Sequence, residues 1–390
     1  MRLFLYVVFL LSTTAGLSQS MPLPEDTTVS VITFGPGSNL NDAFGHNAIR
    51  IKSRVADIAY DFGRYNFDDP NFYLDFARGK LNYLQGKSNY KNLIAFYISE
   101  NRTIKEQQLR LSQAETQELY NYLEANYKKN QGAYLYDFFY DNCATKIRDV
   151  LEENINGNIT YNNPENYSQE TFRTLIQNNL NRNSWGSLGI DLALGSIIDQ
   201  KASPREYMFL PENIFNFYQL ASFKKTNTPV VKQSKVLYQS KNKKETGSFL
   251  LRPFFVLSLI ALLILWLTYR DYKNAKRNKT LDVSIHLITG ITGVLLMLLW
   301  FATTHTATQN NYNLLWAFPI GIIAFLQALK AVPKRWYIGY LKLLIIMLCL
   351  MSLHWIIGVQ RFAPTLLPVI IALFIRYVYL IRYYKQQETS

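Results

Sequence analysis

The chain has 390 residues, too many for a single hydrophobic core, so two units are expected. Of the net charge of +13, the stretch from Thr246 onward carries +11, with 14 Lys+Arg against 3 Asp+Glu. The basic excess therefore belongs to the apolar half and reads as membrane topology; with no basic patch or reading motif in the rest, it argues against nucleic-acid binding.

Residues 1–20 read as a secretory signal. Arg2 precedes the apolar run 3–11, and Ser18-Gln19-Ser20 offers small residues for cleavage after Ser20. Nine apolar residues are too few for a comfortable membrane span, although an uncleaved anchor is the alternative. Residues 21–222 form the exported domain. Strands are expected at 29–34, 48–52 and 58–62, the last two paired across a short turn. Asn71 to Arg78 suits a short helix, and 81–83 and 93–98 are weaker strand candidates. Ser112 and Glu115 fit a capping box opening a helix. A further helix begins near Cys143, because Ile147, Val150, Leu151 and Ile155 recur at helical spacing. Another short helix is expected near 169–177, and 185–198 is apolar and Gly-punctuated. Residues 223–248 are Lys-rich and polar and read as a linker.

Residues 249–390 are expected to form an all-α membrane domain. Five apolar segments, at 249–269, 285–304, 314–332, 338–358 and 362–381, each have about the 20 residues a bilayer core needs. Arg270, Lys273, Lys276 and Arg277 follow the first segment, Lys330 and Lys334 the third, and Arg382 and Lys385 the fifth. The positive-inside rule puts these loops and the C-terminus in the cytoplasm and the large domain on the outer face.

The chemistry is expected at Cys143. Asp141 or Asn142 can cap its helix, which leaves the thiol in the first turn, where free N–H groups and the helix dipole favour an anion. His46 is the one histidine before the membrane half and is the candidate base. Asp61, on the neighbouring strand, can orient the imidazole; Tyr60 points to the opposite face and is second choice. Backbone N–H groups at Cys143, with the Asn142 side chain, are oxyanion candidates. Asn142 is also readable as a plain helix cap, and Cys143 as a buried, inert thiol. One Cys and one His are too few soft ligands for a metal, and no cofactor is implied. His305, His354 and Arg361 fall toward the outer ends of membrane segments and are candidates for lipid contact, Arg361 through a phosphate. The order His then Cys, with His on a strand and Cys opening a helix, occurs in permuted papain-like thiol hydrolases and acyltransferases.

Several motifs carry a resemblance. Val31-Ile32-Thr33-Phe34-Gly35-Pro36-Gly37, Phe44-Gly45-His46, the run 72–83 and Asp141-Asn142-Cys143 resemble the N-terminal periplasmic domain of the Lnb lipoprotein N-acyltransferases. Gly189-Ile190-Asp191, Arg205-Glu206, Phe209-Leu210-Pro211 and Asn313-Leu314-Leu315-Trp316 extend it over nearly the whole chain. The resemblance implies an α+β papain-like (permuted thiol hydrolase-like) domain with His46 and Cys143 as its catalytic pair. It also implies acyl transfer from a membrane phospholipid to the N-terminal amine of a diacylglyceryl-cysteine lipoprotein. The other readings of the residues are a membrane-tethered cysteine peptidase or amidase acting on envelope peptides, and a non-enzymatic envelope assembly protein. Five spans discriminate between them only weakly: a hydrolase of soluble peptides needs one anchor, not five.

Overall fold

The computed structural model describes residues 22–155, 159–165, 167–241 and 248–389. The expected signal segment lies outside them. In the first half, apolar residues alternate with polar ones and build an antiparallel sheet. β1 (Thr28–Phe34), β2 (His46–Lys52) and β3 (Asp57–Arg64) pair in succession. β4 (Asn82–Asn89) extends the sheet beyond β3, and β5 (Ile104–Leu109) pairs with the free side of β1. β6 (Tyr134–Leu135) closes the β4 edge. β7 (Ile159–Thr160) and β8 (Ser222–Phe223) form a separate pair. β9 (Val231–Tyr238) lies along β5, giving the order β6-β4-β3-β2-β1-β5-β9.

Among the described residues, eight α-helices accompany this sheet: α1 (Phe72–Arg78), α2 (Tyr90–Ser99), α3 (Gln113–Lys128), α4 (Cys143–Asn154), α5 (Phe172–Asn178), α6 (Trp185–Ala193), α7 (Pro204–Tyr207) and α8 (Pro211–Gln219). Alternation assigns the two faces. Val31, Ile49, Tyr60 and Phe62 share a core with Leu123 of α3, Ile147 and Leu151 of α4, and Ile214 of α8. Ile32, Phe34, Ala48 and Ala59 meet Tyr90 and Tyr97 of α2 on the other. Each fully buried side chain of this kind contributes about 1.5–3 kcal/mol, so α4 is held by its apolar stripe.

Two local expectations change. Residues 93–98 are helical, inside α2, because the Asn89 side chain accepts from the N–H of Asn92 and caps the helix start. The segment expected as a linker, 223–248, contains β9 and the last residue of β8. β9 completes the hydrogen bonding of β5, and its exposed Lys232 and Lys235 discourage further pairing at that new edge.

The second half holds α9 (Pro253–Lys273), α10 (Lys279–Phe301), α11 (Gly321–Ala328), α12 (Trp336–Ile357) and α13 (Leu367–Thr389). Among the described residues, four helices are long and apolar enough to cross a membrane: α9, α10, α12 and the one spanning Pro364–Gln387. The expected third span is not such a helix. Pro319 lacks an N–H and disfavours a helical residue before it, so residues 312–328 break into a short 3₁₀ turn at Tyr312–Leu315 and the eight-residue α11. Eight residues rise about 12 Å, against the ~30 Å of a hydrocarbon core. The broken segment still runs the length of the bundle. Asn313 bonds to the carbonyl of Asp191 (3.0 Å) at one end, and Ala328 accepts from Arg277 (2.8 Å) at the other. That far end is locked by Arg376, which is fully buried and pairs with Asp271 (2.8 Å) and Asp282 (2.7 Å).

Candidate active site

β2 begins at His46 because Gly45 turns the chain into it. Gly45 has φ +88°, and a Cβ there would lie 2.6 Å from the Phe34 carbonyl oxygen. Asp61 stands opposite Ala48 in the ladder, two residues along from His46 on the same face. Nε2 of His46 lies 3.1 Å from Oδ2 of Asp61. The other carboxylate oxygen accepts from Nε of Arg64 at 2.8 Å.

Residues 61 and 64 would point to opposite faces of a regular strand. A bulge between Phe62 and Arg64 removes that parity, with Gly63 at φ +95°. Arg64 thereby reaches Asp61, and its Nη2 is held by Ser88 Oγ at 2.6 Å. Gly63 also lies beside the nucleophile: a Cβ there would be in ordinary van der Waals contact, 3.5 Å from Cβ of Cys143 and 3.6 Å from the Tyr136 ring, so it is the positive φ that calls for glycine.

α4 opens at Cys143, with Asn142 as its N-cap. Oδ1 of Asn142 accepts from the N–H groups of Ala144 (2.8 Å) and Thr145 (2.9 Å). Its Nδ2 donates to the carbonyls of Phe138 and Phe209, both at 2.8 Å. Every hydrogen-bonding group of this amide is occupied, which corrects the expectation that it holds an oxyanion; Asn142 is a cap and a tie. The N–H of Cys143 itself has no partner among the described residues.

Cys143 lies near enough to His46 to be among the groups that raise its pKa. With Nε2 committed to Asp61, Nδ1 remains for the sulfur. Burial disfavours the imidazolium of His46, but Tyr97, Cys143 and Asp61 together outweigh it and hold its pKa well above the ordinary histidine value. Burial likewise pushes the Asp61 carboxyl up, and His46 and Arg64 overcome it, leaving it lowered. Beside the pair a cleft of about 630 Å³ opens between Arg64, Ser88, Asn92 and Phe96. Tyr60 points to the other face and donates to Glu124 at 2.5 Å, so it takes no part. Among the described residues no cluster of His, Cys, Asp or Glu has the makings of a metal site.

Loops from the helical half grip this domain close to the site. Thr306 donates to Asp137 (2.6 Å), five residues before Asn142. Asn311 bonds to the carbonyl of Leu192 (2.7 Å), and the N–H of Gly195 to that of Ala307 (2.9 Å). Arg173, fully buried, pairs with Asp191 (2.9 Å) and Asp199 (3.0 Å) behind this seam. His305 bonds through Nε2 to the carbonyl of Phe76 (3.0 Å). Arg361 donates to Thr174 (3.1 Å) and, through its backbone, to Asp199 (3.3 Å). It is a strut between the halves, and that role accounts for it without a lipid phosphate. His354 lies edge-on to Tyr312, with ring centroids 4.5 Å apart.

Sequence reasoning missed Arg64, Gly63, Tyr97 and Arg173. Only Gly63, a glycine inside a strand pattern, carried a readable signal of a bulge.

The fold and site define an α+β domain with a Cys–His–Asp constellation, seated on a helical base able to cross a membrane. Two family models match the chain, the Lnb N-terminal periplasmic domain over residues 20–178 and the Lnb transmembrane domain over residues 243–387. The chain belongs to the Lnb family, with its N-terminal periplasmic domain followed by its transmembrane domain. No curated protein and no solved structure matches it.

Proposed function

We propose that this chain is a membrane-bound acyltransferase. It moves an acyl chain from a phospholipid, through a thioester on Cys143, to the N-terminal amine of a diacylglyceryl-cysteine lipoprotein. The observation that carries the reading is the Cys143–His46–Asp61 arrangement, opening on loops hydrogen-bonded to the outer end of the helical bundle. A nucleophile at that height meets substrates that cannot leave the bilayer. His46 starting a strand and Cys143 opening a helix support a permuted papain-like assignment.

His46 takes the thiol proton, and Cys143 Sγ attacks the ester carbonyl carbon. The N–H of Cys143 donates to the oxyanion. The ester C–O bond breaks, the imidazolium gives its proton to the leaving alkoxide, and a lysophospholipid departs. The α-amine of the acceptor then attacks the thioester carbonyl. The C–S bond breaks, an amide forms, and the amine proton returns through His46 to the sulfur. Asp61 accepts from Nε2 and keeps Nδ1 turned to the sulfur, while Arg64 keeps Asp61 in place.

The same reading sets the chain in the cytoplasmic membrane with five passes, the broken 312–328 segment being the third. The first domain faces the periplasm, and the C-terminus and the basic turn after α9 face the cytoplasm. Mass spectrometry of lipoprotein N-termini, with and without the protein, tests the function. A third acyl chain should appear only with it, and a Cys143 peptide should carry the thioester in the absence of acceptor. Cleaved envelope peptides with unchanged lipoprotein N-termini would favour a peptidase instead.

A further inference from the structure

α1 is a short helix with an uncovered outer face. It buries only Phe72. Tyr73 is 81% exposed, Phe76 52%, and Phe67, just before the helix, 64%. In water such a face is costly, and an exposed aromatic cluster marks an interaction surface.

The position of α1 says what covers it. Its C-terminal carbonyls are bound by the residues that follow α10. The N–H of Thr304 donates to the Arg78 carbonyl (2.9 Å), and Thr304 Oγ1 to that of Gly79 (2.7 Å). α10 crosses the bundle and ends at Phe301, itself exposed. α1 is thus held at the end of α10, one of the helices long and apolar enough to cross a membrane. Exposed Arg78 and Lys80 flank the aromatic face of α1, as basic residues flank aromatic ones at a lipid headgroup boundary.

A row of rings leads inward from there. Phe76 faces Phe72 at 6.3 Å between centroids, Phe72 faces Tyr65 at 5.7 Å, Tyr65 faces Tyr83 at 5.5 Å, and Tyr83 stacks on Tyr136 at 4.3 Å. Tyr136 ends the row beside Gly63 and Cys143. We propose that α1 sits in the outer leaflet of the membrane and that this aromatic row is the path by which a lipid acyl chain reaches Cys143. The path rests on the acyl-transfer reading; the membrane contact of α1 does not.

The experiment uses the full chain in phosphatidylcholine–phosphatidylglycerol vesicles. In a Cys143→Ser, Cys349→Ser background, a fluorophore is attached at Tyr73→Cys or, as control, at Val55→Cys, at the opposite end of β2 and β3. Lipids with a nitroxide near the headgroup should quench the label at 73 severalfold more than that at 55. Equal quenching overturns the membrane contact, whatever the activity. In the second arm, a Tyr73→Ser, Phe76→Ser variant of the otherwise native chain is given either a bilayer phospholipid or a water-soluble short-chain thioester as donor. The bilayer donor should lose at least tenfold more kcat/KM than the soluble one. Equal loss on both overturns the path. No transfer by the native chain from either donor would instead overturn the acyltransferase reading, and the quenching arm would still decide where α1 lies.

Discussion

His46 and Asp61 are joined across neighbouring strands, Nε2 to Oδ2 at 3.1 Å, and this bond decides which ring nitrogen is free for Cys143. The raised pKa of His46 fixes the sign of a pH effect. A group charged more readily when folded adds stability that is complete below its unfolded value of about 6.5 and is lost as pH climbs through the raised one. Asp61→Asn should lower the His46 pKa. The alkaline limb of the kcat/KM profile should then move to lower pH, and kcat should fall roughly 10²–10⁴-fold. The variant's thermal stability should also lose part of its decline with rising pH. A profile superimposable on the native one would remove Asp61 from the site.

Cys143 and His46 should be indispensable while contributing little to the packing of the fold, since both side chains lie at the mouth of the sheet rather than in its cores. Cys143→Ala and His46→Ala should each reduce transfer at least ~10³-fold, Cys143→Ala with Tm within a few degrees of native and His46→Ala with the loss of the pH-dependent stability that the imidazole supplies. Cys143→Ser should be far weaker than native, because a hydroxyl is a much weaker acid than a thiol and a poorer nucleophile. Mass spectrometry of the acylated lipoprotein N-terminus reads out all three. Full activity in purified Cys143→Ala would reject the covalent mechanism.

Asn142 should show the reverse pattern. Alanine there removes the α4 cap and strands the carbonyls of Phe138 and Phe209, for a loss of about 2–4 kcal/mol in denaturant unfolding. The fraction that remains folded should retain measurable transfer. A fully stable but inactive Asn142→Ala would restore the residue as an oxyanion donor.

Much of the site was legible because its parts obey local rules. Alternation placed Tyr60 and Asp61 on opposite faces, and helical spacing after Asn142 put Cys143 at a helix start. Arg64 was hidden because simple parity points it away from Asp61, and only the bulge at Gly63 turns it back. The role of Asn142 was open between cap and oxyanion donor, since the carbonyls that use its Nδ2 include Phe209, distant in sequence. In the helical half, hydropathy read residues 314–332 as one span, but hydropathy does not register that Pro319 breaks hydrogen bonding midway. β9 was missed because Val231 is the one buried residue it offers, and its pairing is dictated by the unfilled edge of β5.

Arg173 should be essential to the seam between the halves. Arg173→Met leaves the carboxylates of Asp191 and Asp199 buried without their main partner, a change that costs about 3–5 kcal/mol. Hydrogen exchange should rise in residues 190–199 and 306–313 more than in β1 to β3. Uniform exchange across the exported domain would mean that Arg173 serves its general stability rather than its docking.

The orientation of the chain can be tested apart from its chemistry. Asn310 and Lys276 are both exposed and lie at opposite ends of the bundle. Asn310 accepts from Ser196 of the exported domain (3.0 Å), and Lys276 sits in the turn between α9 and α10 beside the Arg376 cluster. In a Cys143→Ser, Cys349→Ser background, Asn310→Cys should react with a membrane-impermeant maleimide on intact spheroplasts. Lys276→Cys should react only after the membrane is opened, and a cysteine replacing Lys385 should follow Lys276. The Lys385 position decides whether the broken 312–328 segment is a full crossing. A re-entrant segment that returned to the outer face would reverse α12 and α13, and Lys385→Cys would then be labelled from outside. Labelling of both Lys276→Cys and Lys385→Cys in intact cells would invert the assignment altogether, because it would place every basic turn on the periplasmic side against the positive-inside rule.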